Sequence, residues 1–434
     1  RAAMRLAAAG RQWWAVGGRG GGAVVARRLS GEAADVSVSP TRTPATAELW
    51  RQRRQKDMDQ AKLVEDAQVA SELPTFLLDK TPSESYLEVP LRFKTDPLVR
   101  GQYESFQEGR VRMGKILEDL DAFAGNVAHS HADDNNPRTR PLHIVTACVD
   151  RMDVRKPISL NADLTMNGTI TWVGRSSMQI QVCLCEEGGA HDDPLLRSSF
   201  LMVARDGTTK KSAPVNRLVP QTEEEKAAFL AGEADMAQKK SEKKAALTLL
   251  PPTSEEVAQV HDLFFGKGAA GSERVAIADT ALESTTLCQP QERNTGDKIF
   301  GGYLMRKAFE LGMSTAYRLF GANSAPFLLA VDDINFIRPV EIGSIVRFHA
   351  RVVYTTTRAI QVQVETKVQD LVNCTSHTSN TFWFTFSNRS GTPVPAVMPE
   401  SYLDTIAFVE GMRRLAGSKQ SAAAAGSLLV EHFG

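Results

Sequence analysis

The sequence predicts an α+β chain in which one unit, a long helix followed by an antiparallel sheet that wraps it, occurs twice. Three observations lead there: motifs that recur at a nearly constant offset, an apolar helical pattern in each half, and alternating β-rich segments behind each pattern. Val149-Asp150 followed by Lys156-Pro157-Ile158 has the internal spacing of Val331-Asp332 followed by Arg338-Pro339-Val340, an offset of 182. Ile180-Gln181-Val182 recurs as Ile360-Gln361-Val362 at an offset of 180, and Phe200 as Phe382 at 182. Upstream, Arg112-Met113-Gly114-Lys115-Ile116-Leu117 resembles Phe300-Gly301-Gly302-Tyr303-Leu304-Met305 at about 188. The two copies are expected over residues 85–215 and 278–400.

Within the first copy, Met113, Ile116, Leu117, Leu120 and Phe123 recur at helical spacing and predict an amphipathic helix. In the second, the apolar residues from Tyr303 to Leu319 cover almost the whole circumference, so that helix should be the more deeply buried. Residues 169–173 and 178–184, then 345–354, 359–368 and 381–387, read as strands, several alternating with period two. Between the copies, residues 216–275 read as a charged linker with one solvated helix, acids early and lysines late, as suits the helix dipole. Residues 401–434 read as a C-terminal helix and tail.

Composition narrows the class. At 434 residues with 42% hydrophobic content the chain has material for more than one core. Lys+Arg and Asp+Glu balance at 51 each, so no net positive field favours nucleic acid. Five cysteines are too few for a disulfide scaffold and suggest a reducing compartment. No run of 18 uncharged apolar residues is present to span a bilayer. Arginine is the only charged residue type before Glu32, the pattern of an organelle transit peptide, and residues 1–45 are set aside as address or tail.

The sharpest chemical signal is Arg293-Asn294-Thr295-Gly296-Asp297-Lys298-Ile299-Phe300-Gly301-Gly302, which leads into the second helix. First-turn N–H groups lack intrahelical partners, and glycines let a ligand approach the backbone there. Gly301 and Gly302 are therefore candidate donors to an acyl oxygen, and Asp297 is a candidate general base on water. Read plainly, the same residues could be an Asn or Asp cap before a packed helix.

These residues, the Val-Asp-x5-[Lys/Arg]-Pro spacing and the duplication resemble the hotdog-fold acyl-CoA thioesterases over about residues 85–400. The tandem order, the linker and Gly114-Lys-Ile-Leu-Glu-Asp-Leu-Asp121 are similar to the mitochondrial acyl-coenzyme A thioesterase 9 group. The resemblance implies a double hotdog that hydrolyses acyl-CoA to free fatty acid and CoA in the mitochondrial matrix. It implies no cofactor, CoA being part of the substrate, and a homo-oligomer built as a trimer of double hotdogs. It places the catalytic loop acid on Asp297, beside Asn294, and the oxyanion donors at Gly301 and Gly302. An acid seven residues beyond the glycine falls on Asp121 in the first copy but on Phe309 in the second, with Glu310 next. The first copy has Glu108-Gly109-Arg110-Val111-Arg112-Met113 in place of the loop, so one full site and one degenerate site are expected. Asp297 should then face Asp121 or Glu118 across the interface. Arg175, Ser176 and Ser177, with their counterparts Thr356, Thr357 and Arg358, are the implied CoA contacts, since arginine forks suit phosphate.

A thiolate leaving group with a pKa near ~8.5 needs no strong acid, so a base and an oxyanion hole suffice. Attack by water and an anhydride route through a carboxylate both remain open. His129-x-His131 with Asp133 and Asp134 lacks regular metal-ligand spacing, and Cys183-x-Cys185 reads as packing. The competing class is a non-catalytic acyl-CoA-binding or assembly module of the same fold.

Overall fold

The structure, a computed structural model, describes residues 43, 45–47, 50 and 76–433, apart from 135, 137, 138, 140, 190–192, 208, 243–250, 266–273, 295, 322, 323, 372, 390–392 and 425. After a short strand β1 (Asp79–Lys80), the first copy runs β2 (Leu87–Leu91), α1 (Pro97–Tyr103), α2 (Met113–Ala132), β3 (Leu142–Val149), β4 (Met152–Val154), β5 (Leu164–Val173), β6 (Ser177–Glu186) and β7 (Leu196–Asp206). It closes on β8 (Arg217–Leu218), followed by the connecting helices α3 (Glu223–Glu242) and α4 (Ser254–Phe265). The second copy repeats the order: β9 (Arg274–Ala276), β10 (Leu282–Leu287), α5 (Gly301–Phe320), β11 (Pro326–Val331), β12 (Ile334–Asn335), β13 (Ile345–Thr355), β14 (Ala359–Asp370) and β15 (Thr375–Asn388). The chain ends on β16 (Ala396–Met398) and α6 (Tyr402–Ala424).

The tandem, helix-wrapping arrangement expected from the repeat is present. Both copies share one twelve-stranded sheet, in which β11 pairs with β4 and β12 with β3. The recurring Val-Asp motif sits at this seam. Val149 pairs with Ile334 and Met152 with Val331, a reciprocal register that makes the joint two-fold symmetric. Even the irregularities repeat, with a bulge between Thr146 and Cys148 on β3 and another between Leu328 and Ala330 on β11.

Burial of the two long helices departs from the periodicity. Every residue from Gly114 to Ala124 in α2 is buried, including Lys115, Glu118, Asp119 and Asp121, whereas Leu311, Met313 and Tyr317 of α5 are only half-buried. The charged residues of α2 are covered by α5 and by the N-terminal segment. Asp119 accepts hydrogen bonds from Thr46 (2.6 Å), Tyr103 (2.5 Å) and Thr43. Burial pushes its pKa up to about 6, against those hydrogen bonds.

Two boundaries move. Thr43, Ala45, Thr46 and Trp50 are buried, so the folded unit begins before residue 45; the rest of the expected address segment lies outside the described residues. The connection holds two helices, and α3 is docked. A Cβ on Gly232 would lie 2.5 Å from Trp172, Gln179 donates to Asp235 at 3.2 Å, and Lys239 pairs with Asp150. Helix α6 matches the expected C-terminal element and is tied to β13 by Arg351–Asp404 at 2.6 Å.

Candidate active site

Helices α2 and α5 pass each other at the centre of the molecule, each presenting its glycine entrance to the other. Glu118 stands four residues beyond Gly114 and Arg306 four beyond Gly302, and these equivalent positions meet in a buried ion pair of 2.9 Å. The crossing is close: a Cβ on Gly302 would come within 2.9 Å of the Glu118 carbonyl oxygen. Glycine is needed there for helix packing as well as for ligand access.

Three residues beyond Glu118, Asp121 reaches the start of α5. Its side chain is buried, at 1% exposure. Oδ1 accepts a 2.7 Å hydrogen bond from the Thr146 hydroxyl on β3. Oδ2 is buried, closes no hydrogen bond among the described residues and lies 3.1 Å from where a Cβ on Gly301 would sit. The Phe336 ring is equally close to that point, at 3.1 Å. Burial raises the Asp121 pKa to about 6, countered by Thr146 and by the Gly302 N–H directed at the carboxylate. Phe300 caps α5 without a side-chain hydrogen bond, which leaves the first-turn N–H groups facing this carboxylate. Trp50 stacks edge-on against Phe300 at 5.1 Å and covers the apolar side of the entrance.

The expected facing pair does not form as read from sequence. Asp297 is 79% exposed in its side chain, adopts φ of 55° and pairs with Arg293 at 3.6 Å. Its left-handed backbone turns the carboxylate outward, away from Asp121. Glu118 is likewise not a free carboxylate, because Arg306 holds it. Asn294 shapes the loop: its Oδ1 accepts from the N–H of Gly296 (2.8 Å) and Lys298 (3.1 Å). Among the residues missed by sequence reasoning are Thr146, a lone threonine on a strand, and Arg306, a single arginine within an apolar helix.

The two implied CoA turns also part company. Arg175 is exposed, and the backbone of its turn is closed by Gly174 N–H to the Ser177 carbonyl at 2.8 Å. In the counterpart turn, the Thr356 hydroxyl donates to the Phe433 carbonyl (3.0 Å) and Arg358 to the Glu431 carbonyl (3.4 Å). The Thr357 carbonyl accepts from the Val394 N–H at 3.3 Å. The C-terminal segment therefore occupies the groups expected to contact CoA on that side. His131, discounted as a ligand, is buried between Ser85 and the Asn216 carbonyl at 3.0 Å each, and burial lowers its pKa to about 4.

A sequence profile of the Thioesterase superfamily matches residues 296–375, beginning inside the loop before α5. Acyl-coenzyme A thioesterase 2, chloroplastic, of Humulus lupulus is 38% identical over 366 residues, covering 80% of this chain and 81% of the relative. Acyl-coenzyme A thioesterase 9, mitochondrial, of Bos taurus is 36% identical over 375 residues, covering 84% of each. The chain belongs to the acyl-coenzyme A thioesterase family. Among solved structures, a putative oleoyl thioesterase from Lactobacillus plantarum overlaps 70% of this chain and 95% of its own, at 10% identity and a TM-score of 0.41. An acyl-CoA hydrolase from Staphylococcus aureus, solved with butyryl coenzyme A, covers 35% of this chain and 94% of its own, at 23% identity and a TM-score of 0.33. As a member of this family the chain is a thioester hydrolase.

Proposed function

We propose that the protein hydrolyses an acyl-CoA thioester at the entrance of α5, with Asp121 as general base. The observation that carries this reading is a buried carboxylate whose Oδ1 is held by Thr146 and whose Oδ2, with no closed hydrogen bond among the described residues, is directed at the glycine backbone of a helix N-terminus. Such an orphan is costly to bury, and a water molecule that donates to it would be held for attack. The thioester carbonyl would lie against the first-turn N–H groups of α5, which stabilise the oxyanion as the carbonyl carbon becomes tetrahedral. Asp121 takes the water's proton, the tetrahedral intermediate collapses, and the C–S bond breaks to release CoA thiolate and the acid. The thiolate, near pKa ~8.5, leaves without a strong acid. Thr146 positions Asp121 through Oδ1, keeping Oδ2 turned to the reacting water.

The nucleotide end of CoA would meet positive charge outside. Lys210 lies 3.4 Å from His143, and His143 in turn borders Gly296, where a Cβ would sit 3.4 Å from its Nδ1. Arg175 remains open on its turn. The cellular setting proposed is the mitochondrial matrix and the assembly a trimer of double hotdogs; sedimentation that shows a monomer at micromolar concentration would remove the second point.

Release of free thiol from acyl-CoA tests the assignment. Asp121→Asn is expected to lower kcat by roughly 10²–10⁴-fold, the usual contribution of a general base, with the circular dichroism of the fold retained. Because the base must be ionised, kcat/KM should fall tenfold per pH unit below about 6 in the native protein. An Asp121→Asn protein that turns over at the native rate refutes the proposal.

A further inference from the structure

At the opposite end of the crossing, where α2 begins, the structure holds a cavity of about 650 Å³. It occupies the position related to the Asp121 entrance by the two-fold repeat, but its chemistry is exchanged. Phe309 stands at the helix position of Asp121, and Leu328, placed by the matching bulges, stands at the strand position of Thr146. Both line the cavity, together with Phe106, Met313 and Phe327. Glu310, the one carboxylate of α5 on its wall, is held by Arg112 at 2.8 Å.

Charge at the mouth differs as well. Isolated backbone bridges set Lys298 against Glu341 in the second copy and Arg110 against Ser159 in the first. Lys298 closes a 2.6 Å ion pair with Glu341, whereas Ser159 offers Arg110 no charge. Arg389 also lines the cavity, its guanidinium 5.1 Å over the Phe327 ring. Burial and then the charge of Arg110 lower the pKa of Arg389, which places the two guanidiniums within each other's field. Neither is paired with a carboxylate among the described residues, although the exposed Glu104 lies on the same rim. The Tyr317 hydroxyl, on a lining residue, is buried with no hydrogen-bond partner among the described residues. A volume of about 650 Å³ lies in the range that encloses small ligands, and the walls are apolar beneath two forked cations.

We propose that this cavity is a second, non-catalytic ligand site that takes a fatty carboxylate, its chain against Phe309, Met313, Phe327 and Leu328 and its head between Arg110 and Arg389. That the carboxylate would be the product of the Asp121 site rests on the thioesterase reading; the binding itself does not. Myristate is the probe, with 1-tetradecanol as the uncharged control, on the full chain. A myristate carrying a diazirine on its chain should label residues in the segments 104–113, 309–317 or 326–328. Arg110→Met with Arg389→Met should weaken myristate binding in calorimetry at least tenfold and leave tetradecanol binding within about twofold. Met313→Trp, which fills the cavity, should abolish the labelling while circular dichroism shows the fold retained. Labelling confined to the surroundings of Gly301 and Asp121, or a myristate affinity untouched by removal of both arginines, would overturn the proposal. The Asp121→Asn protein separates the two readings, since it should still be labelled here; if native protein releases no thiol yet is labelled, the thioesterase reading fails and this one stands.

Discussion

The entrance of α5 and the entrance of α2 are built from matching helices and strands joined by the same seam, yet the first carries a buried aspartate where the second carries Phe309. At the first, a buried aspartate holds one oxygen on Thr146 and leaves the other open. At the second, a phenylalanine and a leucine fill those two positions, and the next acid along is locked to Arg112. The exchange shows how a duplicated fold can separate two tasks. Burying a carboxylate is costly, and one entrance that keeps it leaves the other free to relax into an apolar cavity. What the halves still share, the ion pair between Glu118 and Arg306, belongs to both because each copy contributes one member.

That shared pair is where the comparison breaks most visibly. Glu118→Ala leaves the Arg306 guanidinium buried and alone, an expected loss of about 3–5 kcal/mol in urea unfolding, felt by both copies. Recovery of most of that stability in Glu118→Leu with Arg306→Met would identify the pair as packing-compatible rather than required, and no loss in the single variant would contradict its burial. Thr146→Val sharpens the asymmetry by moving the catalytic entrance one step toward its mirror. Loss of one hydrogen bond to the charged carboxylate, about 1.5–3 kcal/mol, should lower kcat at least tenfold and shift the acid limb of the rate profile to higher pH. A profile that keeps its midpoint would show that Thr146 does not hold Asp121.

Stability should answer in the opposite sense at the same site. Asp121 has its native pKa raised from 3.8 to about 6, so the folded state binds more protons than the unfolded state between those values. The stability associated with the protonated form is present below about pH 4 and is lost as pH rises through about 6. Asp121→Asn should therefore be more stable than the native protein at pH 8, by about 1–2 kcal/mol, with a smaller difference at pH 4. Equal differences at both pH values would deny the burial. The smallest effect is expected at Asp297, where Asp297→Ala should leave kcat within about twofold because the carboxylate faces solvent; a fall of two orders of magnitude would return the base to the loop.

How much of this was legible beforehand depends on the length scale of each signal. The repeat, the helix-then-sheet order and the glycine entrance were read from local spacing, because helix and strand periods and backbone freedom at glycine are properties of a few adjacent residues. The Val-Asp motif marked the repeat, and only the strand pairing showed that it lies at the seam. Both acids were named from the sequence, but not which of them is buried at the glycines. Asp297 adjoins the glycines in sequence but sits at a left-handed turn that points it outward, while Asp121 lies 180 positions upstream of Gly301 and meets it only through the helix crossing. Thr146 carried no local signal at all.

The sequence by itself determined the double architecture and the existence of one complete and one altered entrance, since both follow from residue types at repeated positions. Tertiary structure alone decided which carboxylate is dry, which is neutralised and which is wet. Those properties depend on the solvent excluded and the charges met across a packed interface, and a linear order of residues does not contain them until the chain has closed on itself.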